Sequence, residues 1–527
     1  MSIPRGAIAA GHPVTAAVGA EVLRAGGSAV DACVAAAFAS WVAEPALTGP
    51  GGGGFLIAFD AARGRPLVLD CFTAVPGAGR GDAAVAPLEP YIVDFGTGRQ
   101  TFLVGPGSCA VPGVTAGLEE AHRRLGRLPW DELAAPAIAL AREGVELTAA
   151  HADVIRLLTG FLGSSPEGAH VFGPAGDPKR AGERTDNPPL GDTLERIAGH
   201  GARELADGET AAAIVAHQAA TGGHLTAADL SAYRAIRRRP LELPYRDRTF
   251  VTNPPPSSGG ALIAHALAVL AGGPPLSGVL TPESVGRIAA ALRSANAQRT
   301  AAFERALYRG GAVQRVLAAA RSGQVAHSAS ATLPSGSPWT TQISVLDAQG
   351  NAASLTCSTG CGSGVLVPGT GVHLNNMLGE TDLNVASLRL RPGMRLTSMM
   401  APSLVLRDGR VELVVGSSGS ARIRSAIVGV VVAALDLGLP LQEAVELPRV
   451  HPEGDILDCE GGIPPETLDA LEAGGDRLVR WPDRNIYFGG AQVVSQTDAG
   501  LAAAGDPRRG GAGIVVEEMG GERTADF

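Results

Sequence analysis

Lysine is almost missing from this chain. Its 527 residues hold one, Lys179, so arginine supplies 42 of the 43 basic side chains. A GC-rich coding sequence accounts for such a bias. Lys179 lies in Gly-Asp-Pro-Lys-Arg and not between a glycine and Ser or Thr, which removes the phosphate-cradling loop of nucleotide hydrolases. Cysteine is also sparse: Cys33, Cys71, Cys109, Cys357, Cys361 and Cys459 are scattered, and no two have CxxC spacing. A zinc site takes about four ligands, so no metal is expected, and the cysteines read as buried free thiols in a reducing compartment.

Charge is low, at 18% of residues, and the net balance of −9 argues against nucleic acid as a partner. The longest apolar run, near Ile427–Leu435, is far short of the roughly 20 residues that span a bilayer. Before His12 and Pro13 there is a single arginine and no apolar stretch of signal-peptide length, so a cytoplasmic location is expected. The 71 glycines and 37 prolines follow no three-residue period, which excludes collagen, and 45% hydrophobic residues exclude a mostly disordered chain. The length allows about three to five domains, or one large αβ core.

Within those bounds the sequence has two halves of different texture. Ala16–Ala43 reads as two helices broken at Gly26-Gly27, with Ser28 capping the second and Asp31 strengthening the cap. Phe55–Asp60 and Pro66–Asp70 read as a hairpin. Val114–Gly144 reads as helical, 160–190 as a long surface connection, and 190–320 as helical again. Residues 322–339 form a polar, small-residue stretch. Strands then dominate: Thr340–Asp347, Ala352–Ser358, Gly364–Pro368, Ser403–Arg407 and Val411–Val415, followed by an apolar helix at Ile423–Leu435. The pattern indicates one αβ fold interrupted by a flexible segment.

Four segments could carry chemistry. Gly49-Pro-Gly-Gly-Gly-Gly54 matches GxGxxG, but a helix precedes it and a strand follows, the reverse of a dinucleotide site, so a tight turn or a close backbone approach is the better reading. Gly416-Ser-Ser-Gly-Ser-Ala-Arg422 links a strand to a helix, where backbone N–H groups can stabilise an oxyanion; as a plain turn it would be equally ordinary. Pro254-Pro-Pro-Ser-Ser-Gly-Gly260 is a rigid entry to a helix. Trp339-Thr340-Thr341-Gln342 starts a strand just after the polar stretch. A hydroxyl there suits an N-terminal nucleophile: the chain cuts itself before Thr340, the hydroxyl attacks the substrate, and the freed α-amine serves as base. Two threonines in a strand also occur through β-propensity alone.

These segments occur in an order that resembles the gamma-glutamyltransferase family of N-terminal nucleophile hydrolases. The likeness runs over essentially the whole chain and is carried by Gly26-Gly-Ser-Ala-Val-Asp-Ala32, Gly51-Gly-Gly-Gly-Phe55, Pro254–Gly260, Thr340-Thr-Gln-Ile-Ser344, Leu374-Asn-Asn-Met377, Leu396-Thr-Ser-Met399 and Gly416–Ser420. It implies a four-layer αββα sandwich made of two subunits cut from one precursor, residues 1–339 and 340–527, with cleavage between Trp339 and Thr340. By the same resemblance Thr340 is the nucleophile and Ser358 the supporting hydroxyl, with Gly419 and Ser420 forming the oxyanion hole. Thr397 and Ser398 correspond to a pair that binds a substrate carboxylate, and Glu380 to a residue that holds its amino group. No cofactor is implied, and the partner is a small-molecule substrate.

Three departures stand out. The arginine that clamps the glutamate carboxylate in the family falls on Phe72, a pocket Asn falls near Thr359, and the usual Thr-Thr-His has become Thr-Thr-Gln342. Three functions follow as alternatives: an autoprocessed amidohydrolase or acyltransferase working through an acyl-Thr340 intermediate; a pathway-specific acylase or C–C hydrolase of natural-product (antibiotic) biosynthesis; or an unprocessed, non-catalytic homologue.

Overall fold

Two antiparallel sheets packed face to face carry the molecule. The computed structural model describes residues 4–81, 85–94, 99–322, 339–380 and 390–517. The polar segment expected at 322–339 lies almost wholly outside the described residues. The first sheet has seven strands in the order Ala512–Glu517, Pro4–Ala10, Thr341–Asp347, Ala352–Ser358, Gly53–Asp60, Arg65–Cys71, Ile236–Arg238. The second has six, Gly500–Gly505, Gly490–Thr497, Arg410–Ser418, Ser403–Arg407, Arg248–Thr252, Leu241–Tyr245.

Side chains alternate across each strand, and the two faces go to different cores. Ile8, Ala10, Ile343, Val345 and Leu355 point into a core shared with helices, among them Ala29–Ala43. Ala7, Ala9, Leu346 and Ala352 point the other way and meet Leu404, Val414 and Val494 of the second sheet. The outer face of the second sheet is covered by Gly259–Ala271 and Arg422–Leu435. The result is the expected αββα sandwich.

The helix Ala29–Ala43 is buried at all fifteen positions, and its alanines let sheet and helix backbones come close. Its start matches the expectation: Ser28 Oγ accepts from the Asp31 N–H, and the Asp31 carboxylate accepts from the Ser28 N–H. Two expectations fail. The stretch 160–190 contains a helix, Pro166–Phe172, capped by Ser165. The supposedly helical stretch 190–320 contains the strands Ile236–Arg238, Leu241–Tyr245 and Arg248–Thr252. Their arginines mask the alternation: Arg238 pairs with buried Asp70, and Arg248 with Glu412.

A polar clasp ties neighbouring strands of the first sheet near the start of Thr341–Asp347, and Ser344 Oγ extends it to the second sheet by donating to the Gln492 carbonyl oxygen at 2.8 Å. Gln342 Nε2 donates to Ser344 Oγ at 3.0 Å and Ser354 Oγ at 2.8 Å, and its Oε1 accepts from Thr356 Oγ1. A Cβ at Gly416, on the facing sheet, would stand 2.2 Å from Gln342 Oε1. Because the amide is pinned, Gly416→Ala is expected to destabilise the fold by about 1–3 kcal/mol, read as a lower Tm.

Candidate active site

The register that pairs Thr341 with Cys357 brings Thr340 abreast of Ser358. On the two-residue period Thr340 shares the inter-sheet face with Gln342 and Ser344, whereas Thr341 turns to the helices. Both Thr340 and Ser358 are buried. Ser358 Oγ donates to the Trp339 carbonyl oxygen at 2.5 Å and accepts from the Gly360 N–H at 2.7 Å. The hydroxyl is therefore held with its proton on the carbonyl of the Trp339–Thr340 bond.

The glycine run 51–54 exists for close packing. A Cβ at Gly52 would lie 2.5 Å from the Ser358 carbonyl oxygen, at Gly54 2.5 Å from that of Thr356, and at Gly51 2.2 Å from that of His373. Backbone crosses backbone here, as the reversed topology around GxGxxG suggested, and the crossing fixes Ser358. Two buried asparagines brace the opposite side. Asn375 donates to Gly51 O and Ala110 O, and Asn376 Oδ1 accepts from the Cys361 N–H at 3.0 Å. Pro254–Gly260 is a second brace: Ser257 and Ser258 hydroxyls both donate to the Ser398 carbonyl oxygen, and Asn253 Nδ2 donates to that of Met400.

One cavity collects most of the residues singled out from the sequence. Phe72, Trp339, Thr340, Ser358, Glu380, Ser398 and Ser420 line it, joined by Gly360, Met377, Met399, Met400 and Ile423. Ser420 is in the left-handed region at φ 50°, and Gly419 has φ 121° with no room for a Cβ, whose nearest neighbour would be Gly489 Cα at 2.7 Å. This turn follows the strand Arg410–Ser418 of the second sheet and faces Thr340, at the start of Thr341–Asp347 of the first. Two singled-out residues lie elsewhere. Thr397 turns its hydroxyl to the Pro256 carbonyl oxygen at 2.7 Å and borders a neighbouring cavity with Ser258, Arg299 and Phe303. Thr359 is fully buried, outside the cavity lining, and its hydroxyl has no hydrogen-bond partner among the described residues.

The comparisons with known proteins all point the same way. Residues 15–516 match the model of the gamma-glutamyltranspeptidase family. The chain belongs to that family. Among relatives, the Acylase ACY 1 proenzyme of Pseudomonas sp. (strain SE83) is 34% identical, with 97% of this chain and 94% of that protein covered. The glutathione hydrolase proenzyme of Pseudomonas aeruginosa is also 34% identical, with 97% and 95% covered. Among solved structures, the cephalosporin acylase from Bacillus halodurans superposes with a TM-score of 0.82 at 25% identity over 98% of this chain and 96% of that one. The protein is thus an enzyme with hydrolases and acylases as its relatives.

Behind Thr341 lies a buried ionic cluster that sequence reading missed. Thr341 Oγ1 donates to Glu44 Oε2 at 2.5 Å and Thr15 Oγ1 to Glu44 Oε1 at 2.9 Å. His151 Nε2 is 3.8 Å from Glu44, and the His12 and His151 rings are 4.8 Å apart. Burial opposes ionisation of Glu44, but the nearby His151 and His12 imidazoles and the Thr341 hydrogen bond outweigh it and hold its pKa below the ordinary value. These residues stand singly in the sequence, and no local pattern marks them. Among the described residues no group of three or more His, Cys, Asp or Glu could hold a metal ion.

Proposed function

We propose that this member of the gamma-glutamyltranspeptidase family matures by cutting its own Trp339–Thr340 bond and then cleaves amides through an acyl-Thr340 ester. The Ser358 hydrogen bond to the Trp339 carbonyl is the observation that carries this reading. Thr340 Oγ attacks the Trp339 carbonyl carbon, and Ser358 stabilises the charge developing on the oxygen. The C–N bond breaks as the nitrogen takes a proton, which frees the Thr340 amine and leaves an ester that water hydrolyses to the Thr340 hydroxyl and the Trp339 carboxylate. A free α-amine has an ordinary pKa of about 7.7–8.0, so at neutral pH it can accept the Thr340 hydroxyl proton during turnover. In turnover the Gly419–Ser420 turn, across the cavity, would hold the substrate oxyanion, and Ser398 and Glu380 would contact the acyl group.

A pathway-specific acylase is favoured as the form of this activity by one observation, the aromatic ring of Phe72 in the cavity wall; the 34% identity to an acylase proenzyme is equalled by that to a glutathione hydrolase proenzyme. The non-catalytic alternative draws no support from Gln342, whose amide is spent in the clasp.

The test is a time course of self-cleavage. Freshly purified chain is expected to convert to two species whose intact masses match residues 1–339 and 340–527. Ser358→Ala should slow the conversion by about 10²–10³-fold, the usual cost of one oxyanion donor. Equal rates for the two proteins would remove Ser358 from the mechanism, and an active chain that stays whole would remove the mechanism.

A further inference from the structure

The wall of the acyl cavity says what kind of acyl group it takes. Apart from Trp339, which the proposed cleavage turns into a chain end, five of its residues are apolar: Phe72, Met377, Met399, Met400 and Ile423. Phe72 is fully buried and stacked on Phe55, with ring centroids 5.5 Å apart and planes 19° from parallel. Three of the six methionines in the whole chain meet here. Methionine is flexible and polarizable and moulds itself to irregular apolar ligands. Hydroxyls are contributed by Thr340, Ser358, Ser398 and Ser420. Among the described lining residues the one charged side chain is Glu380, and none is arginine or lysine.

We propose that the acyl group is an uncharged apolar one, a straight chain of several carbons or an arylacetyl group, and not a carboxylate-bearing acyl such as γ-glutamyl or glutaryl. The proposal rests on Thr340 as the nucleophile and names the substrate class of the same site. A glutaryl carboxylate buried in this cavity would lose its hydration without gaining a cation and would share the space with the Glu380 carboxylate; a γ-glutamyl group could place its ammonium on Glu380, but its own carboxylate would still find no arginine or lysine in the lining. An apolar chain gains by leaving water, and the methionines and Phe72 offer the contact surface. The reaction balances as an ordinary amide hydrolysis. Thr340 Oγ bonds to the acyl carbon, and the amide C–N bond breaks with the amine leaving protonated from the Thr340 ammonium. Water then splits the ester to the free carboxylic acid and regenerates the hydroxyl.

The test uses the mature two-chain protein and four p-nitroanilides: hexanoyl, phenylacetyl, glutaryl and γ-glutamyl. At least one of the first two is expected to exceed both of the last two in kcat/KM by about 100-fold or more. Met400→Arg, which places a cation in the wall, should narrow or invert the ratio of hexanoyl to glutaryl turnover. Should that variant fail to fold, the wild-type series still decides. A γ-glutamyl or glutaryl preference overturns the proposal, and so does a cleaved, mature protein that turns over none of the four. A chain that never cleaves overturns the nucleophile reading itself, a separate failure visible by intact mass before any substrate is added.

Discussion

Thr340→Ala is expected to remain a single 53.3 kDa chain and to lose activity by about 10⁴-fold or more, the scale seen when an enzyme's nucleophile is deleted. Both losses come from one atom. In the proposed mechanism Oγ attacks the Trp339 carbonyl during maturation and the substrate carbonyl afterwards, and alanine supplies neither attack. The fold should survive: Thr340 is at the edge of the strand Thr341–Asp347, and the strand's pairing with Ala352–Ser358 and the Gln342 clasp do not use the Thr340 side chain. Thr340→Ser retains the hydroxyl and should still cleave, more slowly, because the missing methyl leaves the rotamer less restricted. Far-UV circular dichroism, intact mass and amide turnover on the three proteins separate these effects. Cleavage of the alanine variant at the wild-type rate would transfer the nucleophile role elsewhere.

Acid should unfold this protein well above the pH at which carboxylates alone protonate. Burial pushes His12 down to about 4, helped by neighbouring His151 and partly opposed by Glu44. Burial likewise pushes His373 down to about 4. Both folded values are below the ordinary value of 6.5. Between roughly pH 6.5 and 4 the unfolded chain therefore binds protons that the folded chain refuses, and stability falls as pH falls. Each histidine contributes a slope approaching ~1.4 kcal/mol per pH unit across that window, so the pair removes on the order of 6 kcal/mol. That is comparable to the whole stability of a typical domain, ~5–15 kcal/mol. Glu44 and Glu453 extend the loss. Against the cost of burial, hydrogen bonds and nearby positive groups depress both carboxyls, Glu453 to about 2, so their stabilisation is present above the ordinary carboxylate pKa and fades as pH drops further. Urea denaturation at pH 7.0, 5.5 and 4.5 checks the slope. A flat series would mean that these imidazoles protonate freely in the native state. His373→Phe should remove about half of the slope that His12 and His373 supply together.

Much of the fold was legible because its pattern is local. Ser28 and Asp31 are three residues apart, and the strands on either side of Gln349-Gly-Asn351 show clean alternation between helix-facing and sheet-facing positions. The strands between Ile236 and Thr252 were hidden because Arg238 and Arg248 are strand residues whose charge is satisfied by Asp70 and Glu412, distant in sequence. The site was legible through family resemblance more than through spacing: Thr340, Ser358, Ser420 and Glu380 share a cavity although the four come from three separate stretches of chain. Neither the Gly360 N–H that orients Ser358 nor the placement of Thr397 outside that cavity leaves a trace in residue types. Nothing in the local sequence places Met377, Met399 and Met400 beside Thr340; the cavity they line with it does.

The strand order of the seven-stranded sheet has a mechanical corollary. Thr341–Asp347 is wedged between Pro4–Ala10 and Ala352–Ser358, and Pro4–Ala10 is itself flanked by Ala512–Glu517. Segments from before and after the proposed scission are interleaved like the fingers of clasped hands, so severing one peptide link sets nothing adrift. The two products stay knitted by ladder hydrogen bonds on several seams, and parting them demands that the whole sandwich come undone. Neither fragment owns an intact sheet, so each is expected to need the other's presence at the moment of folding, which makes the uncut precursor the template for its own assembly.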